Sequence, residues 1–289
     1  MISSADPTSS GSPATTKSAQ PSALSTHDFR VLIGGDACKQ PYDASIFNIS
    51  AMSFGSLSAN AIRALNQGAK LGNFHHDTGE GSISPYHREH GGDLTWELGS
   101  GYFGCRTSDG RFDPERFAVQ AQNPQVRMIE IKMSQGAKPG HGGILPKHKV
   151  TEEISLTRGV PMGQDCISPA SHSAFSTPAE LVSFIARLRE LSGGKPVGFK
   201  AVIGEKNWLL DLITEIRVQG IESAPDFITL DSADGGSGAA PQPLMDHVGL
   251  PIKESLPWVV ALLEQAGLKD RRPGNEPEEA SGSCKTNGR

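Results

Sequence analysis

A strand, a glycine-rich loop and an amphipathic helix recur through this chain, and that repeat constrains the fold more than any other feature. Ile46-Phe47-Asn48-Ile49-Ser50-Ala51-Met52 is a short apolar run that ends at Ser53-Phe54-Gly55-Ser56. Leu57, Ala61, Ile62, Leu65 and Ala69 follow at helical spacing, with Ser56 or Ser58 as the cap. Val126 to Lys132 alternates as a strand, Thr151-Glu152-Glu153-Ile154 opens a short helix, and Asp165-Cys166-Ile167 reads as another strand tip. Thr177-Pro178-Ala179-Glu180 combines a cap, a proline at the first helical position and a capping-box glutamate. Leu181, Phe184, Ile185, Leu188 and Leu191 form the buried stripe of that helix. Val197 to Val202 is the next strand, followed by a helix from Asn207 to Gln219 that Gly220 ends. Phe227 to Leu230 and a helix from Ser255 to Gln265 complete the pattern.

Alternating strands and helices predict a parallel sheet. Gly, Asp, Lys and Ser cluster just after each strand, whereas the loops returning from helix to strand are plain. That one-sidedness predicts an α/β fold of the (β/α)8 barrel type, with its site at the C-terminal ends of the strands. An open doubly wound sheet puts ligands on the same side and stays open as an alternative. About six of the eight βα units are countable, so the barrel is expected to be C-terminally incomplete. The expected organisation is a disordered leader over 1–34, a partial barrel over 35–271 and a disordered tail over 272–289.

Composition narrows the setting. A formal charge of -5 and scattered Lys and Arg give no reason to expect nucleic acid or an anionic membrane as partner. No apolar run approaches the roughly 20 residues of a membrane span. Cys38, Cys105, Cys166 and Cys284 lie far apart without a CxxC pair, which predicts neither a zinc site nor a disulfide framework and favours a reducing cytoplasm.

Three loops can carry chemistry. Asp231 to Pro241 includes Gly235 and Gly236, whose backbone N–H groups can approach an anion. Gln135 to Gly143 carries Lys138, able to meet a carboxylate or phosphate, and His141, an acid/base candidate without spaced companions for a metal. Asp77 to Gly81 offers Glu80, which could orient a substrate nitrogen or cap a helix. Lys200 stands apart because it interrupts an apolar strand. A lysine there is compensated either by an anionic ligand at the barrel mouth or by a core carboxylate such as Asp231, and the two do not exclude each other. Ser168-Pro169-Ala170-Ser171-His172-Ser173 lacks the GxSxG elbow of a hydrolase.

Ser50-Ala51-Met52-Ser53-Phe54-Gly55-Ser56, Thr78-Gly79-Glu80-Gly81, Gln135-Gly136-Ala137-Lys138-Pro139-Gly140, Pro196-Val197-Gly198-Phe199-Lys200 and Asp231 to Pro241 occur in the order and at spacings that resemble the FMN-binding synthase domain of glutamate synthase. The likeness is strongest to its shorter, stand-alone members. The resemblance implies an FMN-dependent oxidoreductase that reduces 2-iminoglutarate, formed from 2-oxoglutarate and ammonia, to glutamate. It implies that Met52, Ser53 and Gly55 cover the flavin, with Lys200 near its N1 side and Gln135, Asp231, Gly235 and Gly236 on the cofactor side. Gln135, Lys138, Arg158 and Ser168 would face the dicarboxylate, with Lys200, Glu80 and Lys138 as the catalytic set. Ser82 stands where the family has a third glycine, Ser232 replaces a glycine, and His141 replaces a glutamate. The family's iron–sulfur cysteines have no counterpart in this sequence, the electron donor is unnamed, and a homo-oligomer is left open. Another FMN barrel acting on a hydroxy acid or an isoprenoid, or a non-catalytic barrel fragment, are the alternatives.

Overall fold

The computed structural model describes residues 29–234 and 240–269. The expected tail, and the leader up to residue 28, lie outside the described residues. Arg30–Ile33 falls within the expected leader, yet it forms strand β1 and pairs antiparallel with β2, Tyr42–Ser45. Helix α1 spans Ala59–Gly72 and is capped by Ser58, whose side chain accepts from the Ala61 N–H. There follow β3 (His76–Asp77), α2 (Pro85–Arg88), β4 (Leu94–Leu98), α3 (Pro114–Ala121) and β5 (Val126–Lys132). A short ribbon of β6 (Ile144–Leu145) and β7 (Cys166–Ile167) flanks α4 (Glu152–Arg158). Helix α5 (Pro178–Leu191), β8 (Val197–Val202), α6 (Lys206–Gln219), β9 (Ile228–Asp231) and α7 (Ile252–Gln265) complete the described chain.

β3, β4, β5, β8 and β9 form one parallel sheet in that order, a curled half-barrel compatible with the incomplete barrel expected from the repeat. The capping box of Thr177 and Glu180 forms as read, and Gly220 follows the end of α6. Two expectations need correction. The run from Ile46 to Met52 contributes a single parallel bridge, Ile49 to His76, instead of a strand. Beside that bridge the Asn48 side chain accepts from the His75 N–H and donates to the Ser45 carbonyl. Cys166–Ile167 pairs antiparallel with Ile144–Leu145 and so belongs to the ribbon, outside the parallel sheet.

Period-two alternation sets the two faces of the sheet. Leu94, Trp96 and Leu98, Ile129 and Ile131, and Val197, Phe199 and Ala201 join the helix residues Leu181, Ile185, Leu188, Leu212 and Ile216 in the main core. Each valine, leucine, isoleucine or phenylalanine among them contributes roughly 1.5–3 kcal/mol by leaving water. The alternate positions therefore face the concave side: Thr95 and Glu97, Glu130 and Lys132, Lys200, and Thr229 and Asp231. The register places Glu97 beside Glu130, Lys132 beside Lys200, and Lys200 beside Thr229. A line of charge thus runs along the inside of the half-barrel.

Candidate active site

Lys200 is the centre of that line. Its Nζ lies 3.5 Å from Asp231 Oδ2 and 3.8 Å from Glu97 Oε2. The core-carboxylate partner expected for Lys200 is therefore present. Desolvation pulls the ammonium toward neutrality, but Glu97, Asp231, Asp77 and Glu130 outweigh it and raise its pKa above the ordinary value. Oxygens of Asp77, Glu97 and Glu130 lie within 4.8 Å of one another, all three residues buried. Burial, then the charges of Glu130 and Glu97, hold the Asp77 carboxyl well above its ordinary range. Glu130 is raised to about 7 by burial and by Glu97, and its Oε2 accepts from the Thr229 hydroxyl. Glu97 is raised by burial, against the pull of Lys132 and Lys200. Carboxylates this close cannot all ionise without a cation, and the Lys200 ammonium supplies one.

A second lysine links this line to the loops. Lys132 Nζ sits 3.9 Å from Glu97 Oε1 and 3.3 Å from Glu80 Oε1. Glu80 Oε2 also accepts from the Ser168 hydroxyl at 3.3 Å. Glu80, Lys132, Gln135, Lys138, His141 and Ser168 line one cleft. Lys138 donates to the Gly142 carbonyl at 3.4 Å, and desolvation lowers its pKa. The structure thus brings four sequence-expected residues together: Glu80, Gln135, Lys138 and Ser168.

Backbone contacts explain why the loops lie where they do. The N–H groups of Met133 and Ser134 donate to the Lys200 carbonyl, and Ser134 Oγ accepts from the Val202 N–H. The Gly136 N–H donates to Asp231 Oδ2 at 3.1 Å, and a Cβ at Gly136 would stand 1.7 Å from the Ser232 carbonyl oxygen. Only glycine lets this loop cross the ends of β8 and β9. On the other side, the Met52 N–H donates to the Asp77 carbonyl, and the Met52 carbonyl accepts from His87 Nε2. Gly79, at φ +64°, packs so close to Ser53 that a Cβ would meet its backbone nitrogen at 2.7 Å. The Met52-Ser53-Phe54-Gly55 turn is thereby fixed against the end of β3.

Arg158 lies apart from the cleft. It is buried in α4, donates to the Phe54 carbonyl at 3.1 Å, and directs Nη1 to Cys166 Sγ at 3.6 Å. Its guanidinium supports the Met52–Gly55 turn from behind, so it does not join Gln135 and Lys138 on a common ligand surface. Gly235 and Gly236 lie outside the described residues. Ser232 has a structural use: its hydroxyl oxygen accepts from the Ile252 N–H at the start of α7. Ser82 takes φ +73°, a left-handed conformation that favours glycine.

Sequence reasoning missed Glu97, Glu130 and Lys132 as site residues. The available signal was period-two charge within Leu94–Leu98 and Val126–Lys132. It also missed the contact of His172, whose Nε2 donates to the Lys132 carbonyl while Nδ1 accepts from the Tyr102 hydroxyl.

Residues 17–272 match the family described as the conserved region in glutamate synthase. The chain is 40% identical over 255 residues to a glutamate synthase large subunit-like protein, YerD, of Bacillus subtilis, covering 88% of this chain and 48% of that protein. It is 35% identical over 222 residues to an archaeal-type glutamate synthase [NADPH] of a Thermotoga species, covering 76% and 40% respectively. An archaeal glutamate synthase [NADPH] of Archaeoglobus fulgidus is 34% identical over 223 residues, covering 77% and 40%. The chain thus spans about half the length, or less, of these relatives. A match over most of its residues means that the chain belongs to the glutamate synthase family.

Proposed function

We propose that the concave face of this half-barrel is the flavin and substrate site of a glutamate synthase-type oxidoreductase, acting on 2-iminoglutarate to give L-glutamate. The observation that carries this reading is the convergence of Glu80, Lys132, Gln135, Lys138 and Ser168 in one cleft beside Lys200 at the strand ends. Residues of this character fit FMN. Lys200 is a fixed cation on a rigid strand, and such a cation stabilises negative charge on the N1 side of a reduced flavin. Met52, Ser53, Gly55, Gln135 and Asp231 would hold the ring, and Gly235 and Gly236 are proposed as further cofactor-binding residues. When bound, FMN supplies the two-electron reductant for the imine carbon.

The chain's own residues then divide the remaining work. Lys138 and Gln135 bind the dicarboxylate, and Glu80 orients the imine nitrogen with its carboxylate held by Lys132 and Ser168. The cleft measures about 30 Å³, room for a water molecule or two. Arg158 acts at a distance, by holding the Met52–Gly55 turn. The cytoplasm is the proposed location, and among the described residues no helix is long and apolar enough to cross a membrane.

The test is glutamate formation by the full chain, reconstituted with FMN, from 2-oxoglutarate, ammonia and a reduced dye. Lys138→Met should raise KM for 2-oxoglutarate more than it lowers kcat, and Glu80→Gln should do the reverse. A chain that binds FMN but forms no glutamate would overturn the reaction and leave another flavin chemistry on the same face.

A further inference from the structure

A second cleft, of about 760 Å³, opens between α2, α3, α4 and the loop after β4. It is separate from the site just described and shares no lining residue with it. Arg88, Arg106 and Arg116 line it together with Tyr86, Gln120 and Leu156. The sequence shows these arginines as scattered; folding gathers them, in a chain whose formal charge is -5. Glu89 is the one acid of the lining, and Arg63, at 2.7 Å, already engages it. Arg116 has Asp113 at 3.4 Å, whereas Arg88 and Arg106 form no ion pair among the described residues.

Arg88 and Arg116 are exposed and Arg106 is half-buried, and each makes one contact within the cleft wall. Arg88 Nη2 donates to Gln120 Oε1 at 2.5 Å, and Arg116 Nη1 donates to the Arg106 carbonyl at 3.0 Å. Arg106 stacks over the Phe103 ring at 5.5 Å, which limits its rotamers. Guanidinium forks match phosphate oxygens in bidentate fashion. The same cleft carries apolar surface from Ile83, Pro85 and Leu156, the last 77% exposed. Exposed leucine beside uncompensated arginine suits a ligand with an anionic head and a flat apolar body.

We propose that this cleft binds a nucleotide through its phosphates, with Arg88, Arg106 and Arg116 on the phosphates and the base against Leu156 and Pro85. Phe103 gives the cleft a physical link to the other face. Its ring also contacts the guanidinium of Arg158 at 5.3 Å, and Arg158 holds the Phe54 carbonyl. The proposal does not rest on the reaction proposed above.

The test is calorimetric titration of the full chain with ADP, adenosine and inorganic pyrophosphate. ADP is expected to bind saturably and more tightly than either fragment. Arg88→Gln/Arg106→Gln should weaken ADP at least tenfold, while Arg111→Gln, an exposed arginine that does not line the cleft, leaves it unchanged. Protection of Arg106 from arginine-specific modification by ADP, read by mass spectrometry, checks the wild-type chain independently of any variant's folding. Absence of saturable ADP binding, binding unaffected by the double substitution with Arg106 unprotected, or pyrophosphate or adenosine binding as tightly as ADP would each overturn the proposal.

Discussion

β8 and β9 are neighbours with the same alternation, yet they are built into different surroundings. Val197–Val202 is buried at every residue, as is Leu94–Leu98, whereas Ile228–Asp231 is half-buried throughout. Among the described residues β8 has β5 and β9 on its flanks, while β9 pairs with β8 alone. Behind β9 a cleft of about 400 Å³ is lined by Leu209, Ile216, Leu230, Val259 and Leu263 of α6, β9 and α7. The lesson is that neighbours, more than side-chain chemistry, decide how strongly a strand's charges are shielded. Glu97 on β4 is 1% exposed, and Asp231 on β9 is 29% exposed, although both hold the same lysine.

Substitutions on the two sides should therefore differ in size. Lys200→Met removes the cation shared by the carboxylates and should cost about 3–5 kcal/mol in urea unfolding, since it leaves buried charge uncompensated. The loss should be smaller at pH 5, where protons replace the ammonium, than at pH 8; equal losses at both would break the account of the cluster. Leu98→Ala on the enclosed side should cost about 2–5 kcal/mol, while Leu230→Ala at the half-buried strand should cost about 1 kcal/mol. Equal costs would show that β9 is as enclosed as β4.

Proton linkage gives the next largest effect. Burial depresses His75, His87 and His172 to about 4 and His76 to about 3, against 6.5 for the unfolded chain. Between pH 6.5 and about 4 the unfolded chain therefore binds more protons, so stability falls as pH falls, by up to about 1.4 kcal/mol per group per pH unit. Glu130 works in the opposite sense. Its folded pKa of about 7 against an ordinary 4.5 means that the folded chain keeps a proton the unfolded chain releases. Stability is thus lost as pH rises from 4.5 to 7, and Glu130→Gln should flatten that part of the urea-midpoint profile. The smallest effect is expected for Ser82→Gly, a gain of roughly 1 kcal/mol from relief of the positive φ, reduced by loss of the Gln120 contact to its hydroxyl.

Much of the architecture was legible because it depends on local signals. The Thr177 capping box, the apolar stripe of α5 and the glycine ending α6 each act within a turn of helix. What escaped depends on partners far away in sequence. Leu94–Leu98 reads as an unremarkable run until its flanking strands make Trp96 a core residue and Glu97 an interior one. Ile46–Met52 has the composition of a strand, but its ladder is confined to the backbone bonds around Ile49, and Asn48 ties the preceding turn by its side chain. In the site, Lys200 was conspicuous because a charge inside an apolar strand demands a partner. Glu130 and Lys132 were not, because their partners Thr229 and Glu80 sit 99 and 52 residues away. Arg158 carried the right chemistry, but the fold turns it toward Phe54.

The central claim is that the concave face around Lys200 is a flavin site, and flavin binding tests it most directly. The full chain titrated with FMN should show a perturbed flavin spectrum at saturation, with Lys200→Gln binding at least tenfold more weakly while remaining folded by circular dichroism. A folded wild-type chain that leaves the FMN spectrum unperturbed, or a folded Lys200→Gln chain that binds FMN as tightly as wild type, would contradict it.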